Sequence, residues 1–349
     1  MKHTTPHHTI TKNEMAESIP KRYAMVTGAN KGIGLEICRL LASKGITVIC
    51  TSRNKDRGMQ ALQRLKQESN LSDDCLVFHQ LDVVDSASIA SLADFIKNEY
   101  GRLDILVNNA GLTGLAIEGD VLVLQKQLEK VIAAIFASEE DEADEVETNG
   151  KTTETLEGAE DGIQTKPDQE KINGRITQSL EDAEECINTN FYGVKRVTEA
   201  LLPLLQLSNS PRIVNVTSSM GNIKLLRNKW AKQVLRDEEY LTEEKVDQVV
   251  GEFLKNFKEG TLRINQWPTE IAAYKVSKAS MNAYTRIMAK KYPTFSINCV
   301  CPGFARTDFT HNLGSISAAE AAEGPVALAL APDGGPSGSF FYMHQMMPF

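Results

Sequence analysis

Apolar residues change their period along this chain in a regular way. Residues 23–27 (Tyr-Ala-Met-Val-Thr) form a short apolar run, followed by a cluster of glycines and then a helical stretch that ends at Lys44. Similar runs recur at 46–50, 75–81, 104–108, 211–217 and 295–301, and residues 86–100 carry a helical pattern between two of them. Short apolar runs bounded by turn formers predict buried strands, and their alternation with helices predicts βαβ units on a parallel sheet. The expected fold class is α/β, a doubly wound parallel sheet with two insertions.

The first insertion covers about residues 112–179. Leu124, Leu128, Val131 and Ile135 predict an amphipathic helix near its start, after which residues 138–173 become rich in Glu, Asp, Gly and Thr. Such a composition offers too little apolar surface to offset the entropy of ordering, so a mobile segment is expected. The second insertion covers about 222–270. Val246, Val249, Val250, Phe253, Leu254 and Phe257 fall at i, i+3, i+4, i+7, i+8 and i+11, with Gly260 behind them. That spacing predicts a one-sided helix over 242–258. Residues 1–20 are polar, carry His3, His7 and His8, and read as a disordered tail with Met15 as an alternative start. The remaining 21–349 read as one domain.

Composition narrows the class. A chain of 349 residues with 42% hydrophobic content can fill one large core. Its longest apolar run, 131–137, is far short of the ~20 residues of a membrane span, so no membrane partner is expected. Six cysteines show no CxxC spacing. No metal site and no redox pair are expected, and a reducing cytoplasmic compartment is. Asn215 and Thr217 complete a glycosylation sequon, but inside a strand pattern. Net charge is −8, unevenly placed: residues 112–189 hold 20 acids against 6 bases, leaving 26 acids and 32 bases elsewhere. The body is therefore mildly basic, which suits a phosphorylated small molecule, and nothing resembles a nucleic-acid-binding stripe.

Candidate chemistry begins at Thr27-Gly-Ala-Asn-Lys-Gly-Ile-Gly34, between the first strand and the first helix. Gly28, Gly32 and Gly34 leave backbone bare, with Asn30, Lys31 and Ile33 between them. A pyrophosphate can then approach a helix N-terminus, where free N–H groups favour anions. Sites for NAD place an acid at the end of the second strand, whereas this strand ends Thr51-Ser52-Arg53. Arg53 offers a planar fork for a 2′-phosphate, and Lys31 adds a second cation, so NADPH is expected over NADH. Of eight tyrosines only Tyr274 has a lysine, Lys278, four positions on. On a helix these share one face. A unit charge at ~5 Å and an effective dielectric of ~20 is worth ~3 kcal/mol, which would draw a phenol from ~10 toward ~8.

Together these residues resemble the short-chain dehydrogenase/reductase family, whose doubly wound sheet is the Rossmann fold. The resemblance covers about 21–349 apart from the acidic insertion. It rests on six motifs in family order: Thr27-Gly-x-x-x-Gly-x-Gly34, Asn108-Asn-Ala-Gly111, Asn190-Phe-Tyr-Gly193, Ser218-Ser-Met-Gly221, Tyr274-x-x-x-Lys278 and Pro302-Gly303. The long insertion between Ser218 and Tyr274 resembles the monomeric carbonyl-reductase branch, within it the plant salutaridine and menthone reductase group. By that resemblance Tyr274 would protonate a carbonyl oxygen as hydride arrives, and Ser218 would hold that oxygen. Lys278 would hold the nicotinamide ribose and depress the Tyr274 pKa, while Asn190 would hold a water leading from Lys278 to solvent. Asp82 and Val83 would contact adenine. Asn109, Ala110 and Gly111 would support the ribose and the sheet, and Pro302, Gly303 and Thr307 would flank the nicotinamide and its phosphate. Each has a plain alternative: Asn190 as a helix residue, Asp82 as a turn former, Ser218 as a strand end.

The reading is NADPH-dependent reduction of a ketone, cyclic and hydrophobic as in terpenoid or alkaloid metabolism, by a monomer. Two rivals remain at this level: an NAD-dependent epimerase on the same scaffold, and a non-catalytic NADPH sensor.

Overall fold

Strands form where the apolar runs lie. They are β1 (Tyr23–Val26), β2 (Thr47–Ser52), β3 (Leu76–Gln80), β4 (Ile105–Asn108), β7 (Arg212–Val216) and β8 (Ser296–Cys301). Two shorter ones, β5 (Ala116–Glu118) and β6 (Arg175–Thr177), pair antiparallel outside the main sheet. The computed structural model describes residues 21–69, 71, 73–118 and 175–349. The tail 1–20, the helix expected around Leu124 to Ile135 and the acidic stretch 138–173 lie outside the described residues.

The main sheet has eight strands in the order β10-β9-β8-β7-β4-β1-β2-β3. All neighbours run parallel except β10 (Gln345–Met347), which turns back antiparallel on β9 (Phe340–Tyr342). Those last two strands escape the periodicity reading because they are three residues long and end in a methionine-rich segment. From β1 the chain winds outward through β2 and β3, then returns beside β1 as β4 and winds the other way. A crevice opens where the winding reverses, beyond the carboxyl ends of β1 and β4.

Helices cover both faces. One is covered by α1 (Gly32–Ser43), α2 (Lys55–Glu68) and α9 (Ala318–Ala329). The other carries α3 (Ser86–Tyr100), α4 (Leu180–Ile187), α5 (Gly193–Leu205) and α8 (Ala272–Lys291). Burial on two sides explains why β1, β4 and β7 are nearly continuous apolar runs. Asn215 lies in the middle of β7, buried, accepting from Asn108 and donating to Thr285, so its sequon presents no surface. Between α4 and α5 the helix widens into a π turn at Asn188–Tyr192.

The second insertion is helical, as its spacing predicts. After the short α6 (Lys229–Arg236), Thr242 caps α7 (Glu243–Lys258) by accepting from the Lys245 N–H. Glu243 and Glu244 in the first turn and Lys255 and Lys258 in the last complement its dipole. Val246, Val249, Val250 and Phe253 are fully buried, while Leu254 and Phe257 are partly so. The stripe packs on α8, α4 and α6 of the same chain. Trp267 closes the end, its ring 5.4 Å from that of Phe253 and its indole N–H donating to Asn256.

Candidate active site

At the crevice lies a cleft of about 790 Å³. Its floor is built from contacts that only glycine permits. Gly28 has a positive φ of 66°, and a Cβ there would come within 2.9 Å of the Ala110 Cα. A Cβ on Gly34 would fall 2.5 Å from the Gly28 carbonyl oxygen. Asn109 braces the same loop, its amide donating to the carbonyls of Thr27 and Gly28 at 2.9 and 3.2 Å. The Thr27 hydroxyl accepts from the N–H groups of Asn109 and Ala110. The turn is thus locked to the exit of β4 while its bare face lines the cleft.

The residues present fit a phosphorylated dinucleotide. Lys31 precedes α1 without capping it, and no acid stands in the first turn, so the helix start is open to an anion. Gly28, Asn30, Lys31, Gly32, Ile33 and Gly34 line one wall. Asp82 and Val83 line the end beyond β3, where the Asp82 carboxylate also accepts from the Val84 N–H. Asn109, Ala110 and Gly111 lie behind, and Pro302, Gly303 and Thr307 form the opposite rim. The methyl of Thr307 would be 3.3 Å from a Cβ on Gly32, so this rim approaches the glycine turn closely.

The cations sit at the mouth. Arg53 lines the cleft and lies 3.5 Å from Glu185 of α4. Lys31 pairs with Asp308 at 2.8 Å across the opening. Both pairs are more than half exposed, so each holds weakly and can be exchanged for a phosphate. Arg57, in the first turn of α2, lines the same end. It went unread because helix α2 is polar and an arginine on its surface carries no signal of its own.

At the other end stand the groups on α8. Tyr274 and Lys278 share a helix face, with the Lys278 Nζ 5.7 Å from the centre of the Tyr274 ring. Lys278 is buried and donates one hydrogen bond, 2.9 Å, to the carbonyl of Val216 at the end of β7. An ammonium has three donors, which leaves two for a ligand. Ser218 follows β7; its Oγ accepts from the Met220 N–H at 3.2 Å, and its side chain reaches the Tyr274 phenol. Ser219 turns instead toward Cys301. Phe309 partly covers Tyr274, with ring centres 5.9 Å apart. Leu115, Met220, Ile271 and Phe304, none read from the sequence, add an apolar lining.

Asn190 sits in the π turn and is fully buried. Its Oδ1 accepts from the Leu112 N–H at 2.7 Å, while its Nδ2 donates to the Leu112 carbonyl and to Ser277 Oγ. The side chain therefore clamps the loop leaving β4. A water shared with Lys278 would have to use the second lone pair of Oδ1 or a backbone carbonyl freed by the π turn.

One expectation is corrected. The phenol is not drawn toward 8. Burial pushes the Tyr274 pKa above its ordinary value, and the hydrogen bond with Ser218 only partly opposes this. Burial also lowers Lys278, to about 8. The attraction of a neighbouring ammonium lowers a phenol's pKa, but desolvation acts the other way and here prevails. A protonated phenol at neutral pH is still the form that can donate.

Comparison with known proteins gives a consistent answer. The short chain dehydrogenase family matches residues 22–138. The (+)-neomenthol dehydrogenase of Capsicum annuum is 55% identical, with 94% of this chain and 98% of that protein covered. The structure of menthone neomenthol reductase from Mentha piperita superposes with a TM-score of 0.77 at 51% identity, covering 93% of this chain and 99% of that one. Salutaridine reductase from Papaver somniferum follows, with a TM-score of 0.74 at 44% identity over 92% and 99% of the two chains.

The buried ammonium has a measurable consequence. Lys278 titrates near 8 in the folded chain and near 10.5 when unfolded. Below pH 8 both states hold the proton, and the whole desolvation cost falls on the folded chain. Between 8 and 10.5 the folded chain releases it while the unfolded chain keeps it, so stability rises with pH. Urea melts of the ligand-free chain and of Lys278→Met should show their difference shift by about 2–3 kcal/mol in favour of the unaltered chain from pH 7.5 to 10. A difference independent of pH would contradict the buried charge.

Proposed function

The chain belongs to the short-chain dehydrogenase/reductase family and is an oxidoreductase of the carbonyl/alcohol class; on that premise we propose that it reduces a cyclic, hydrophobic ketone with NADPH. The observation that carries this reading is the placement of Tyr274, Ser218 and Lys278 together at the apolar end of the glycine-floored cleft. NADPH, when bound, supplies the hydride. Tyr274 delivers its proton to the carbonyl oxygen as negative charge develops there, and Ser218 donates a hydrogen bond that fixes the oxygen's position. Lys278 holds the ribose hydroxyls through its two free donors, and its charge favours the phenolate left after transfer. Asn190 keeps the loop after β4 in register with α8, leaving a route for a water that returns the proton.

The walls support the substrate class. Leu115, Met220, Ile271, Phe304 and Phe309 give the cleft apolar lining, with Phe309 against Tyr274, and this favours a hydrocarbon ring as the substrate body. The related neomenthol dehydrogenase, menthone neomenthol reductase and salutaridine reductase are consistent with a terpenoid or alkaloid ketone. For the cofactor, Arg53 with Arg57 beside it, Lys31 and the absence of an acid at the end of β2 favour a 2′-phosphate. Six free thiols suit the cytoplasm, and no described helix is long and apolar enough to cross a membrane. Residues 21–349 form one catalytic domain on this reading.

Tyr274→Phe keeps the ring and removes the transferable proton. With a panel of cyclic ketones, read by loss of reduced-nicotinamide absorbance, its turnover should fall about 10²–10⁴-fold. NADPH affinity, measured by fluorescence titration, should stay nearly constant. Retention of most of the activity would remove Tyr274 from its role.

Cofactor choice is tested separately. Arg53→Asp removes a charge-assisted contact worth ~1.5–3 kcal/mol and adds repulsion, so it should reverse the preference for NADPH. Equal use of NADPH and NADH by the unaltered chain would refute the assignment.

The same fold argues for a monomer. Six apolar side chains of α7, at ~1.5–3 kcal/mol each when fully buried, would make an unpaired stripe costly. Here the stripe is covered by α8, α4 and α6 of its own chain, with no partner needed. Light scattering at micromolar concentration should return a mass near 38.5 kDa; a stable tetramer would overturn this.

A further inference from the structure

We propose that Asn282 is a positioning residue for the Ser218 hydroxyl, because its side-chain amide ties both flanks of the Ser218 turn to the helix that carries Tyr274 and Lys278. This rests on the reading of Ser218 as the group that holds the substrate oxygen.

Tyr274, Lys278 and Asn282 follow one another at four-residue spacing along one side of α8. Asn282 is 2% exposed. Its Oδ1 accepts from the hydroxyl of Thr217 at 2.7 Å, and its Nδ2 donates to the carbonyl of Gly221 at 3.2 Å. Thr217 is the residue before Ser218, and Gly221 closes the turn, its N–H donating to the Ser218 carbonyl at 2.9 Å. One amide therefore spans the turn from end to end.

Two further contacts explain why this bridge matters. Gly221 lies against Lys278 so closely that a Cβ would be 2.8 Å from the Lys278 carbonyl carbon. That contact sets how near the turn approaches the helix, but a bare glycine face leaves it free to slide along the helix. Asn282 removes that freedom with directional bonds at two points. Within the turn, the Met220 N–H donates to Ser218 Oγ and leaves the hydroxyl proton free to point outward. The register of the hydroxyl against Tyr274 is thus relayed through Asn282. The chemistry needs an amide: aspartate accepts from Thr217 but cannot donate to Gly221, and an apolar side chain does neither.

The test is a double-mutant cycle on kcat with a cyclic ketone at saturating NADPH. Asn282→Ala should lower kcat about 10- to 100-fold, the cost of displacing a reacting group by about an ångström, with NADPH affinity within about twofold. In the Ser218→Ala background the same substitution should cost less than about twofold, because the group it positions is gone. A role confined to general stability would give the same loss in both backgrounds, and that result would overturn the inference. So would an Asn282→Ala variant of unchanged kcat. Should Asn282→Ala fail to fold, Asn282→Asp and Thr217→Val each break one of the two bonds and enter the same cycle, with the same coupling to Ser218 expected. A Ser218→Ala variant that keeps full kcat would overturn the reading of Ser218 itself, and the inference with it.

Discussion

The site is organised around one hydrogen bond, from the buried ammonium of Lys278 to the carbonyl of Val216. Among the described residues Lys278 forms no ion pair with a carboxylate, and burial is the main influence on its proton. A cation held this way is costly, since a single carbonyl replaces only part of its hydration. The bond nevertheless fixes α8 to the carboxyl end of the central strand β7, one strand beyond β4, where the sheet reverses its winding. Tyr274 one turn before and Asn282 one turn after inherit their positions from that anchor. An acid partner would make the lysine cheaper to bury, and would also use up the two donors that face the cleft.

Elsewhere the shape of the cleft depends on side chains that are missing. Gly28, Gly34 and Gly221 each occupy a place where a Cβ would meet backbone at under 3 Å. At Gly28 and Gly34 this brings the turn onto the exit of β4; at Gly221 it brings the serine turn onto α8. Polar clamps then hold what the glycines let approach: Asn109 on the first turn, Asn282 on the second, Asn190 on the loop at Leu112. Asparagine suits each position because one planar amide donates and accepts at once, so it can close two backbone segments together while leaving no charge behind.

The strands of the doubly wound sheet, the glycine turn and the Tyr274–Lys278 pair were legible because each rests on local spacing. The helix α7 was legible for the same reason, its observed span Glu243–Lys258 close to the expected 242–258. What local spacing does not carry is what arrives from elsewhere in the chain. Arg57 becomes a cleft residue only because α2 packs beside the mouth. Ser218 and Ser219 differ in which way the turn faces them, toward Tyr274 or toward Cys301. The direction of the Tyr274 shift depends on burial by Phe309 and neighbouring segments far off in sequence, so the charge four residues along the same helix does not set it.

That sign bears on the direction of the chemistry. One cause, desolvation, acts on both partners and moves them oppositely: it keeps the phenol protonated and makes the ammonium readier to lose its proton. On the proposed reading, a phenol held protonated is prepared to give a proton to an oxygen that is gaining charge, and less prepared to remove one from a neutral alcohol. The reverse reaction needs the phenolate, which this environment disfavours until something adds positive charge or hydrogen bonds to it. Lys278 is placed to supply that help but is itself weakened by the same burial. On the proposed reading, the apolar walls at Leu115, Met220, Ile271 and Phe309 do more than accept a hydrocarbon ring. On that reading the burial that favours a hydrocarbon ring also favours the phenol in the form that donates a proton.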